Sequence, residues 1–213
     1  PDATLGLAGA YLANMRPVLA LRTFRRFLER WPDHKRAAEV RNTVADLEAG
    51  MDGILAELGG PPGKEGLELA AQHEEIMSLL EQGRHSEVCT AAERLLRHHP
   101  NFTPALNNLS LAYSTLGRLE EAITTAQRVL TLEADNYHAL GNLVRFCCLS
   151  GRIDEARQYA EQLKTVESEA VDIWVKKAEA LSYLGDDQGV LDVFGDAERR
   201  GYLKPPLVNP MLY

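Results

Sequence analysis

Four glycines, Gly83, Gly117, Gly151 and Gly185, stand 34 residues apart in three successive intervals. Glycine fills only 16 of 213 positions, so the spacing is not a by-product of a glycine-rich chain. A fixed period of this length means that one supersecondary unit recurs along the chain. Such a unit cannot bury its apolar face alone, and its neighbours must complete the core.

Placing each glycine at position 15 of a 34-residue unit gives units 69–102, 103–136, 137–170 and 171–204. Their first halves carry apolar residues at helical spacing: Ile76 and Leu79; Leu106 and Tyr113; Leu140, Val144 and Cys147; Trp174, Ala178 and Leu181. Their second halves carry Ala92, Ala126, Ala160 and Phe194 at position 24, and Leu95, Val129, Leu163 and Ala197 at position 27. Ala122 and Ala156 stand at position 20, where Val88 and Val190 are bulkier, and Pro100 stands at position 32 of its unit. On these residues the chain resembles the tetratricopeptide-repeat (TPR) family. The resemblance implies an all-α fold, a right-handed superhelix (α-solenoid) of antiparallel helix pairs.

The same frame extends to the N-terminus. Ala8, Tyr11, Ala20, Phe24, Phe27 and Pro32 fall on the family's positions, so residues 1–34 read as a further repeat. Met15 replaces glycine at its turn, and Pro17 opens the second helix, where a missing N–H costs nothing. Residues 35–58 break the pattern. Ala37, Val40, Val44, Leu47, Met51, Ile54 and Leu58 form one stripe, which predicts a single long, irregular connecting helix of about 35 Å. Gly50 and Gly53 weaken it and mark where it would bend or end early. A Gly/Pro-rich loop follows over 59–65, and four tandem repeats over 66–204. Asn209 and Pro210 read as the start of a further helix in 205–213, cut short at Tyr213, so the chain is expected to be an excerpt of a longer protein.

In the TPR family the first helices line a concave groove that takes extended or helical peptides. Carried over position by position, the resemblance assigns to that groove Asn107, Asn108, Leu111, His138, Asn142, Arg145, Lys176, Glu179 and Tyr183, with His73, Glu74 and Met77 one unit earlier. Asn108 and Asn142 occupy the sixth position of consecutive units, and an amide both donates to and accepts from a peptide group. The bland alternative is a solvated asparagine. For Arg145 and Lys176 it is an exposed charge paired with a neighbour such as Glu179. Chaperone-binding members of the family hold a C-terminal carboxylate with lysines, arginine and asparagines from three successive repeats. The matching positions here hold His73, Met77, Asn108, His138 and Asn142, or, one unit later, Asn107, Leu111, Asn142, Asp172 and Lys176. Neither set supplies the cationic fork, so a carboxylate clamp is not expected.

Charge and composition narrow the rest. With 23 basic and 31 acidic residues the formal charge is −8, which disfavours a phosphate-backbone binder and predicts no nucleic-acid partner. A local exception is residues 16–41, where Arg16, Arg22, Arg25, Arg26, Arg30, Lys35, Arg36 and Arg41 outnumber Glu29, Asp33 and Glu39. That patch reads as a solvated face or as a dock for an acidic partner. Cys89, Cys147 and Cys148 are no disulfide or zinc framework, which suggests a reducing, cytoplasmic location. The longest apolar runs fall short of a membrane span, so no membrane insertion is expected. His85, Cys89 and Glu93 share a helix face but lack converging partners, so neither a metal site nor any cofactor is predicted. No phosphate loop, nucleophile elbow or paired carboxylates appear.

The reading is therefore a non-enzymatic protein- or peptide-binding scaffold or adaptor. The alternative is an accessory recognition domain of a larger enzyme whose catalytic part lies outside this chain.

Overall fold

The computed structural model describes residues 1–202, which hold eleven α-helices and no strand. The helix expected within 205–213 lies outside the described residues. In chain order the helices are α1 (Asp2–Ala13), α2 (Pro17–Arg30), α3 (Ala37–Glu57), α4 (Gly63–Glu81), α5 (His85–His98), α6 (Thr103–Thr115), α7 (Leu119–Leu132), α8 (Tyr137–Leu149), α9 (Ile153–Thr165), α10 (Asp172–Tyr183) and α11 (Asp187–Arg199). The chain divides into two compact units, Pro1–Asn108 and the residues from Leu109 onward.

The periodic glycines act at one place, the end of each hairpin's first helix. Gly83, Gly117, Gly151 and Gly185 hold φ between +69° and +77°, the left-handed region that costs a side chain energy. The reversal lets the next N–H reach back to the helix: Arg84 to Leu79 at 3.0 Å, Arg118 to Tyr113 at 2.9 Å, Arg152 to Cys147 at 2.8 Å and Asp186 to Leu181 at 3.0 Å. The first hairpin makes the same bond, from Arg16 to Tyr11 at 2.8 Å, although Met15 occupies the turn at φ +55°. Identical hydrogen bonding thus survives the loss of the glycine, and the strain stays in the methionine backbone.

In the first unit, Ala8 and Ala20 are fully buried where α1 meets α2, and Phe24 and Phe27 fill the space below them. The helix α3 lies along α2 and α4 and buries Val40, Val44, Met51 and Leu55. It runs unbroken through Gly50 and Gly53, because both face solvent while Met51 and Leu55 hold the buried stripe on either side. Arg25 of α2 bonds Glu48 of α3 at 2.6 Å. The Gly/Pro segment turns the chain so tightly that a Cβ on Gly66 would sit 1.7 Å from the Pro61 carbonyl oxygen. Consequently α4 begins at Gly63 and is 19 residues long, against 14 for its partner α5.

In the second unit the hairpins follow one scheme. Ala122, Ala126 and Val129 of α7 are fully buried, as are Leu140, Val144, Phe146 and Cys147 of α8 and Ala156 of α9. Ala160 and Leu163 of α9 are buried beside them. The helix α10 packs against both α8 and α9, covering the stripe that their hairpin alone would expose. The boundary between α9 and α10 has no proline. Instead the Lys177 ammonium donates to the carbonyls of Lys164 at 3.1 Å and Val166 at 2.7 Å, satisfying the open end of α9. Arg152, at the N-cap of α9, pairs with Glu120 of α7, and Gln127 donates to the Tyr159 hydroxyl at 3.1 Å.

Since Met15 is 82% exposed, its side chain contributes little packing that could be lost. Met15→Gly is expected to raise stability by about 1 kcal/mol through relief of the left-handed backbone. Urea denaturation of the two proteins measures it, and a lower midpoint for the variant would refute the assignment of strain.

Candidate functional site

The residues at issue lie on first helices. On α8, His138, Gly141, Asn142 and Arg145 follow a spacing of three and four, so they share one face; on α10, Lys176, Glu179 and Tyr183 do the same. The two helices pack side by side. Gly141 lets them close up, since a Cβ there would lie 3.3 Å from the Lys176 Cδ.

Across this surface the side chains differ in how far they are satisfied. Asn142 is 4% exposed, and no protein group among the described residues bonds its amide. Arg145 is half-buried, its guanidinium 5.8 Å from the centre of the Tyr183 ring, and its Nε is buried without an acceptor. It has no carboxylate partner among the described residues. Lys176 does have one, Glu179, at 2.8 Å. At the other end, Tyr137 donates to Asp172 at 2.9 Å and stacks on His138 at 4.1 Å between ring centres. Burial lowers the His138 pKa, and Asp172, 3.6 Å from its Nε2, opposes that shift. Burial and the bond to Asp172 push Tyr137 up to about 12. Val175 and Tyr183 are exposed apolar surfaces on the same helix. The patch can therefore offer an amide, a forked cation and aromatic area to a chain laid across it.

Of the α6 residues, Leu111 is half-buried and Asn107 is buried. Asn108 is the last residue of the first unit and is bonded within it. Its amide nitrogen lies 3.2 Å from the Nε2 of His73, so it is committed where Asn142 is not.

The first unit departs from the groove frame. His73 and Glu74 are 8% and 6% exposed, and both are engaged by other residues of the first unit. Glu74 accepts from the backbone N–H groups of Val18 at 3.0 Å and Leu19 at 2.7 Å, capping α2 from a different helix. The cause is legible in retrospect. Arg16, at the N-cap of α2, makes no capping bond to the first turn, so those N–H groups must find another acceptor. Burial raises the Glu74 pKa against the two N–H bonds that lower it. Arg16 is itself buried, donates to the Asn14 carbonyl at 2.8 Å and pairs with Glu81. His73 sits edge-on to Phe102 at 5.5 Å, and burial, with help from Arg16, lowers it to about 4.

No helix among the described residues is long and apolar enough to cross a membrane. No group of three or more metal-ligating side chains occurs among them.

Comparison with known proteins places this geometry. Residues 103–136 match the family model described as tetratricopeptide repeat. The chain is similar to a solved tetratricopeptide repeat protein from Parabacteroides merdae, with a TM-score of 0.55 and 13% identity over 96% of this chain and 80% of that one. It is also similar to PilW, a widely conserved type IV pilus biogenesis factor, with a TM-score of 0.52 and 16% identity over 95% and 94%. At these identities the likeness speaks for the fold. No curated protein matches the chain.

His73 titrates near 6.5 when unfolded and near 4 when folded, so the fold favours its neutral form. Its contribution is whole above pH 6.5 and is lost as the pH falls toward 4, by roughly 3 kcal/mol. Glu74 shifts the opposite way and offsets part of this loss. Unfolding free energies measured from pH 7 to pH 4 should therefore fall more steeply for wild type than for His73→Gln. Parallel curves would show that His73 does not carry the acid sensitivity.

Proposed function

We propose, from the premise that this chain is an array of tetratricopeptide repeats, that it is a non-catalytic scaffold gripping a peptide segment of another protein on the first-helix face of its second unit. The observation that carries this reading is Asn142. Its amide bonds no protein group among the described residues and is not sealed from solvent, and a ligand's peptide group has the matching donor and acceptor. Arg145 beside it, held on Tyr183 with no carboxylate partner among the described residues, is the complementary cation. Lys176 and Glu179 neutralise each other and set the edge. His138 closes the opposite end, and Leu111 of α6 belongs to the same unit. The proposal places the protein in the cytoplasm, where Cys147 and Cys148 remain thiols. It leaves nucleic acid and membrane lipid aside as ligands.

Affinity capture from native extract tests the reading with wild type against Asn142→Ala/Arg145→Ala, a variant first shown by circular dichroism to stay folded. Proteins recovered by wild type should fall by about tenfold or more with the variant, as for loss of a central contact. Equal recovery by both would move the working surface elsewhere. If nothing is recovered by either, the accessory-domain reading gains, with the ligand supplied by the remainder of a longer chain.

A further inference from the structure

The strongest unassigned surface lies wholly within the first unit. Between α1, α2 and α4 runs a cleft of about 410 Å³, with Leu7, Tyr11 and Leu19 as its apolar wall and Arg22, Arg26 and Arg30 along its rim. Its origin is the inserted helix α3. In the second unit, the helix that follows a hairpin packs on both of the hairpin's helices, as α10 does on α8 and α9. Here α4 packs instead against α2 and α3, and Glu74 pins it to the start of α2. The face of α1 that carries Leu7 is left open, with Leu7 49% exposed.

The rim has its own logic. Arg22, Arg26 and Arg30 recur every fourth residue on α2 and so form a ladder with steps of about 6 Å. Arg22 pairs with Glu68, but Arg26 and Arg30 have no carboxylate partner among the described residues. Arg30 rests on the Trp31 ring at 5.2 Å, and Trp31 closes one end of the cleft. Glu75 of α4 is the one carboxylate in the lining. A chain of formal charge −8 that keeps two adjacent arginines unpaired beside an open apolar wall has the complement of an acidic amphipathic segment. Elsewhere in this chain a hairpin's open stripe is covered by a helix, and carboxylates on a helix at four-residue spacing match the ladder step for step.

We infer that the cleft between α1, α2 and α4 is a docking site for an acidic amphipathic helix of a partner protein. Its apolar side seats against Leu7, Tyr11 and Leu19, and its carboxylates pair with Arg26 and Arg30. The site is separate from the groove on the second unit and does not depend on it.

A fluorescein-labelled model helix with glutamates at i and i+4 and leucines at i, i+3 and i+7 of its other face is the probe. Its anisotropy should saturate with the wild-type protein and weaken as salt is raised. Arg26→Glu/Arg30→Glu, at two exposed positions, should weaken binding by at least about tenfold. Leu7→Ser should weaken it as well. Arg94→Glu/Arg97→Glu, the same charge change on the exposed face of α5, should leave it within about twofold of wild type. Circular dichroism establishes that each variant is folded. The inference is overturned if wild type shows no saturation, if both double variants lose affinity equally, or if a probe broken by a central proline binds as well as the intact helix.

Discussion

Everything in this molecule depends on one constraint: a helical hairpin cannot bury its apolar stripe alone, and the next helix must cover the rest. The alanines at the hairpin crossings, Ala8 with Ala20 and Ala156 on α9, bring two helices close enough to share a core. They do nothing for the outer faces. In the second unit α10 supplies the missing cover for α8 and α9, and side-by-side first helices follow as a consequence. The proposed groove is thus a by-product of burial. Once the apolar sides of α8 and α10 are committed to each other and to α9, the remaining faces, with Asn142, Arg145 and Tyr183, stand in a row.

The first unit shows what happens when the cover is displaced. With α3 inserted, α4 cannot dock as a simple next helix, and polar groups take over part of the fixing. Glu74 caps α2 across space, Arg16 is drawn inward between the Asn14 carbonyl and Glu81, and His73 is locked against Phe102 and Asn108. These buried polar contacts are strong only because each finds its partner. The cleft beside α1 is the portion of the stripe that this arrangement leaves uncovered.

Much of this was legible in the sequence because the physics involved is local. A left-handed turn selects glycine, so the turns announced themselves at a fixed period. A stripe spaced by threes and fours announces a helix whatever it packs on, as in α3. Where the reading failed, the deciding contact was distant. His73 and Glu74 fall on groove positions of the frame, and it is Asn108 and the α2 N-terminus, distant in sequence, that engage them. Likewise Asn108 and Asn142 are equivalent by position, but a histidine 35 residues earlier engages the first, and no described residue bonds the second. The start of α4 at Gly63 was hidden for another reason, because two prolines and three glycines mark a loop more loudly than they mark its end.

The central claim is that the first-helix face of the second unit is the working surface. Site-specific photo-crosslinking tests it most directly, with a benzophenone side chain placed at Val175 on α10 or at Arg157 on α9, both exposed in the free protein. In native extract the account predicts a crosslinked partner from position 175 and none from position 157. A partner captured from 157 alone would contradict it, and would assign recognition to the second helices instead.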